Sequence, residues 1–260
     1  MRIVSEEYRY SDGDVPLTGC VVRPDGIGRQ PIPALLLVHG GAGLDEHARS
    51  QAKRYAALGY IVLACDMFGP GVAGDRGRVI AALTAMRDDP DLLLRRARSG
   101  LEALQTRPDV AEPCAAIGYC FGGMTVLALA RNGTDLAGVI SMHGSLATPR
   151  PAAAGTVSAK ILVCHGARDP HVPLSDVTAF IDEMHQAQAD WQLIVYGNAV
   201  HGFTHTDAVP GAIPGVAYDT LADRRSFQAA SDFLAEVLPL PATSAENQSR
   251  DQGSSTGAGG

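Results

Sequence analysis

The sequence predicts an α/β protein, with a mostly parallel central sheet flanked by helices in three layers. Short runs rich in Val, Ile and Leu alternate along the chain with longer amphipathic stretches, the rhythm of strand and crossover helix. Asp, Pro and Gly punctuate the joins. Of the 260 residues 46% are hydrophobic and 19% charged, enough apolar material for one sizeable core and too little charge for a disordered chain.

Seven strands are expected, over residues 17–23, 34–39, 60–65, 115–119, 137–142, 161–165 and 192–196. Several, such as ALLLVH at 34–39, are continuous in branched apolar residues, as strands buried on both faces are. Helices are expected between them, over 47–58, 79–86, 91–106, 123–132, 174–188 and 217–237. The segment DAVPGAIPG at 207–215 is too rich in Pro and Gly for a helix and is expected to be an ordered surface loop near the functional site. Residues 1–238 are expected to form one domain. Residues 239–260 turn to Ala, Thr, Ser, Gln, Asn and Gly with almost no apolar anchor, and are expected to be a disordered tail.

A net charge of −7 without a basic cluster argues against nucleic acid as a partner. No apolar run approaches the roughly 20 residues of a membrane span, and the first residues do not read as a signal peptide, so no membrane contact and a cytoplasmic location are expected. Cys20, Cys65, Cys114, Cys120 and Cys164 are odd in number and sit singly, with no CxxC pair. No HExxH motif or clustered Cys/His set occurs, so neither a metal nor another cofactor is expected. His39, His143 and His165 end strands and are expected to be hydrogen-bonded structural residues.

The chemistry concentrates at Gly118-Tyr119-Cys120-Phe121-Gly122-Gly123. This segment follows the strand AAIGY and opens an apolar helix, the setting of a G-x-S-x-G nucleophile elbow with Cys in place of Ser. The tight turn forces the nucleophile into a strained backbone region, and side chains at the flanking glycines would collide with the strand and helix. The helix aims its N-terminal amides and dipole at the sulfur, favouring thiolate. Such a nucleophile needs an acid and a base further along the chain. Asp169 follows the strand ILVCH and His201 follows the last strand, so both stand on sheet-end loops in the order nucleophile, acid, base. The oxyanion hole is expected from the backbone amides of Phe121 and of Gly41 in the HGGAG loop. That loop matches neither G-x-G-x-x-G nor GxxxxGK[ST], which argues against a phosphate cradle.

The elbow GYCFGG, the loops GARDPHVP and AVHGF, and the segment YRYSDGDVPLTGCVVRP together resemble the dienelactone hydrolase (carboxymethylenebutenolidase) family of α/β hydrolases, from about Glu7 to Leu238. The resemblance implies an α/β-hydrolase fold and cysteine-dependent hydrolysis of a small ester or lactone by Cys120, Asp169 and His201. It also marks two departures. Dienelactone hydrolases proper carry a Glu directly after the 34–39 strand and an Arg four residues after the catalytic His, where this chain has Gly40 and His205. Glu46 is a substitute carboxylate or a first-turn helix residue; Arg224 and Arg225 could meet an anionic substrate or lie on a solvated helix face; Arg76 and Arg78 are weaker candidates. Tyr119 and Phe121 flank the nucleophile and either line an acyl pocket or serve as packing. Two rival readings are a hydrolase fold that only binds a small ligand and a redox sensor built on Cys120. A monomer or a homodimer is expected.

Overall fold

In the computed structural model, which describes residues 1–26 and 30–241, the chain opens with an antiparallel hairpin of β1 (Ile3–Asp12) and β2 (Val15–Pro24). The sequence expectation lacks β1, and its IVSEEYRYSD composition explains why. It is an edge strand in which Ser5, Glu6, Glu7, Arg9 and Ser11 face water, so it carries no continuous apolar run. The remaining strands are β3 (Ile32–Val38), β4 (Ile61–Cys65), β5 (Val110–Tyr119), β6 (Gly138–Met142), β7 (Lys160–Gly166) and β8 (Trp191–Tyr196). They form one sheet in the order β1-β2-β4-β3-β5-β6-β7-β8. β2 meets β4 antiparallel, and every pairing from β4 to β8 is parallel. Ala34 to Val38 in β3 are completely buried, as the unbroken apolar run requires of a central strand.

Six helices cover the sheet: α1 (Glu46–Ala56), α2 (Arg76–Asp88), α3 (Pro90–Gln105), α4 (Phe121–Arg131), α5 (Leu174–Ala187) and α6 (Thr220–Val237). Their ends lie within a few residues of expectation, and several start at an Asp cap. Asp45 accepts from the Ala48 amide, Asp89 from Asp91 and Leu92 ahead of a first-turn Pro90, and Asp219 from Leu221 and Ala222. Each such cap contributes about 1 kcal/mol.

The sheet separates two apolar clusters, which gives the three layers. Ala52, Tyr55 and Ala56 of α1 and Ala230, Phe233 and Leu234 of α6 pack on one face. On the other face lie Met86 of α2, Leu93 to Leu104 of α3, Val126 to Ala130 of α4 and Phe180 of α5. Leu240 leans on the first cluster and against Gly59, so the packed chain continues past the expected boundary at Leu238. The expected tail at 242–260 lies outside the described residues. No helix among those described is long and apolar enough to cross a membrane. Because β3 to β8 run parallel, the loops after β3, β5, β7 and β8 all emerge at one sheet edge, where α/β sheets place ligands.

Candidate active site

Cys120 is the single residue between β5 and α4, at φ 53° and ψ −112°. Positive φ is costly for a residue with a Cβ and persists only where surroundings enforce it. Here the Cys120 amide donates to the Met142 carbonyl at 2.9 Å, and backbone crowds the turn on both sides. A Cβ on Gly118 would lie 2.0 Å from the Gly122 carbonyl oxygen, and one on Gly122 would lie 2.1 Å from that of Val38. Only glycine fits at either position.

The loops after β7 and β8 bring their side chains to the sulfur. His201 Nε2 stands 3.0 Å from Cys120 Sγ, and its Nδ1 stands 2.8 Å from Asp169 Oδ2. The second carboxylate oxygen accepts from the His171 amide at 2.8 Å, which fixes the carboxylate plane. The backbone amides of Phe121 and Gly41, from separate loops, also favour negative charge on the sulfur.

The electrostatics follow from these contacts. Burial pushes the Cys120 thiol up, but the hydrogen bond and charge of His201 with the Phe121 and Gly41 amides outweigh it and hold the thiol below its ordinary value. Burial pulls His201 down, yet Asp169 and the Cys120 sulfur raise it to about 10. Asp169 is raised by burial and lowered further by His201, the His171 amide and His165, so it remains ionised. These contacts favour the thiolate form of Cys120, the imidazolium form of His201 and the carboxylate form of Asp169. Cys114 and Cys164, by contrast, are pushed up to about 12 by burial and stay inert thiols. All five cysteines are unpaired.

The 207–215 loop lies beside this site. The His201 amide donates to the Gly215 carbonyl at 3.0 Å, and the Ala217 amide donates to the His201 carbonyl at 3.2 Å, so the loop's end grips the histidine backbone on both sides. His143 and His171 set their rings edge-on to His201, with centroids 5.4 and 5.1 Å away. His143 Nε2 is 2.9 Å from the buried Thr204 hydroxyl. These neighbours carry no sequence signal beyond standing in or beside the chemistry-bearing loops. His39 is hydrogen-bonded on both ring nitrogens as expected, whereas His143 and His165 each bury an Nδ1 without a partner.

A cavity of about 710 Å³ opens at the sulfur, and Cys120, His201, Gly41 and Phe121 all line it. Other sequence candidates lie elsewhere. Tyr119 alternates to the opposite face of the sheet from this cavity, where its buried hydroxyl donates to Gln51 and lies 3.3 Å from Tyr55, so it lines no acyl pocket. Glu46 is exposed in the first turn of α1 and pairs with Lys53 at 3.4 Å. Arg224 and Arg225 are exposed on α6, across the sheet from the cavity. Arg76 and Arg78 sit in the first turn of α2 outside the lining, with Arg78 bonded to the Gly71 carbonyl. His205 packs behind the site, stacked on His47 with centroids 3.5 Å apart. The lining cations are instead Arg87, Arg131 and Arg150. Arg131 is bound by Glu183 and Arg150 by Asp91, while Arg87 has no ion pair among the described residues. No cluster of three or more potential metal ligands occurs among the described residues.

Residues 17–238 match the model of the dienelactone hydrolase family. The solved structure of P91, a dienelactone hydrolase-like promiscuous phosphotriesterase from metagenomic libraries, superposes with a TM-score of 0.86 at 34% identity, over 93% of this chain and 100% of that one. The protein called m3DLH superposes with a TM-score of 0.84 at 35% identity, over 91% and 99%. A Caenorhabditis elegans protein, K02A2.1, is 37% identical over 147 residues, 55% of this chain and 92% of its own. The chain belongs to the dienelactone hydrolase family of α/β hydrolases.

Proposed function

We propose that this chain hydrolyses carboxylic esters or lactones with Cys120 as nucleophile, His201 as acid and base, Asp169 as the carboxylate that orients the imidazole, and the Phe121 and Gly41 amides as oxyanion hole. The observation that carries this reading is the unbroken relay from Sγ to Nε2 at 3.0 Å and from Nδ1 to Oδ2 at 2.8 Å, at the mouth of a cavity. The thiolate adds to the ester carbonyl, and the carbonyl π electrons move to an oxygen received by the two amides. Collapse breaks the bond to the alkoxide, which takes the His201 proton and leaves a thioester on Cys120. Water then gives a proton to His201 while its hydroxide adds to the thioester. Breaking the C–S bond frees the carboxylic acid and restores the thiolate–imidazolium pair.

A panel of neutral lactones and short-chain esters, run with the wild type and Cys120→Ala, tests the reading. Turnover that vanishes in the variant supports it. Ligand binding without turnover would make the protein a small-ligand binder, and a Cys120 oxidised reversibly by peroxide without turnover would make it a redox sensor. The likeness to P91, a promiscuous phosphotriesterase, adds a neutral phosphotriester to the panel.

A further inference from the structure

Cys120, Met124, Ala128 and Asn132 follow one another at four-residue steps, so they stand in one row on a face of α4. Gly122, Gly123 and Thr125 to Leu127 are buried, whereas Met124 and Ala128 are only partly covered and Asn132 is exposed. All four of the row line the cavity. The cavity is therefore a trough that starts at the sulfur and runs the length of α4, about 18 Å at 1.5 Å per residue. Leu83 and Met86 of α2 and Leu93 and Leu94 of α3 form its facing wall. Of the three lining arginines, Arg131 and Arg150 are each neutralised by a carboxylate and present their stems rather than free charge, while Arg87 is exposed on α2.

We infer that this trough holds the acyl arm of the substrate, and that the preferred substrates are esters of elongated, apolar carboxylic acids. The inference rests on the proposed thiolate chemistry. The assignment to the acyl side follows from the proton path. His201 must protonate the departing oxygen, so the alcohol side lies toward His201, His171 and Val172, and the arm left to run along α4 belongs to the acyl group. At about 1.25 Å per carbon, an extended acyl chain of about fourteen carbons spans the roughly 18 Å set by the helix rise.

The test is kcat/KM for a series of 4-nitrophenyl esters from acetate to hexadecanoate. The expected result is a rise of up to about fourfold per methylene until the trough is filled, then a plateau. Ala128→Trp, which fills the middle of the trough, is expected to lower the decanoate-to-acetate ratio at least about tenfold. In the wild type, alkyl trifluoromethyl ketones are expected to inhibit acetate hydrolysis more tightly with each added methylene, which reads the trough without any variant. Acetate turnover with a flat ester series and length-independent inhibition overturns the inference and leaves the chemistry standing. Absence of turnover for every ester, acetate included, overturns the chemistry and the inference with it.

Discussion

Gly40 and His205 face each other beside the nucleophile: a Cβ on Gly40 would stand 3.7 Å from His205 Nε2 and 3.8 Å from Cys120 Cβ. These are the two positions at which the resemblance to dienelactone hydrolases proper leads one to expect Glu and Arg. They are neighbours in space, so replacing both removes an opposite-charge pair together rather than stranding either charge.

Neutral lactones are accordingly expected to be hydrolysed at least as well as carboxylated ones. A lost charge-assisted hydrogen bond to a carboxylate costs about 1.5–3 kcal/mol, one to two powers of ten in kcat/KM. Comparing a matched neutral and carboxylated lactone measures it. A strong preference for the anion that disappears in Arg87→Ala would show that the unpaired lining arginine has taken the role.

Iodoacetamide is expected to label Cys120 first and to abolish turnover in proportion, because it is the one cysteine on the cavity and its thiol is held low. Cys65, Cys114 and Cys164 are buried, with thiols pushed up. Peptide mapping by mass spectrometry decides the order, and inactivation with Cys120 unmodified would remove it as nucleophile.

The pH profile of kcat/KM is expected to be a broad bell. Attack needs the thiolate, so activity falls only as pH drops below the depressed Cys120 value, and the acid limb lies under the ordinary thiol range. The leaving group needs the imidazolium, so activity falls again as pH rises through about 10. Asp169→Asn removes one cause of the raised histidine and is expected to draw the alkaline limb inward, with a loss of about two to four powers of ten in kcat. An unmoved alkaline limb would count against the relay.

Gly215→Ala is expected to damage catalysis more than folding. Gly215 has φ 74°, and a Cβ there would lie 2.2 Å from Pro170 Cγ, one residue after Asp169, while its carbonyl receives the His201 amide. The added methyl pushes the loop that grips His201 away from the loop that carries Asp169. A displacement of about 1 Å costs on the order of a hundredfold in rate. Steady-state kinetics beside a thermal melt separates the two effects, and unchanged kcat would show that the loop does not position His201.

What the sequence determined by itself is local. Apolar runs such as ALLLVH declare buried strands, because a strand covered on both faces needs no polar side. The elbow was legible because its glycines answer to contacts within a few residues and with the neighbouring strand: the Gly118 clash is with Gly122. Asp169 and His201 could be picked out because strand-end loops on a parallel sheet emerge together. β1 escaped because an edge strand may be polar along much of its length. Tyr119 was misplaced because adjacency in sequence to a nucleophile does not say which sheet face a side chain takes, and alternation sends it to the far one. Only the tertiary structure decided that α6 packs across the sheet from the cavity, which removes Arg224 and Arg225. It also decided that α2 and α3 close over α4 to make the trough and bring Arg87 to its lining. Those relations join residues far apart in the chain through helix packing, and packing geometry depends on every layer at once rather than on any one segment's pattern.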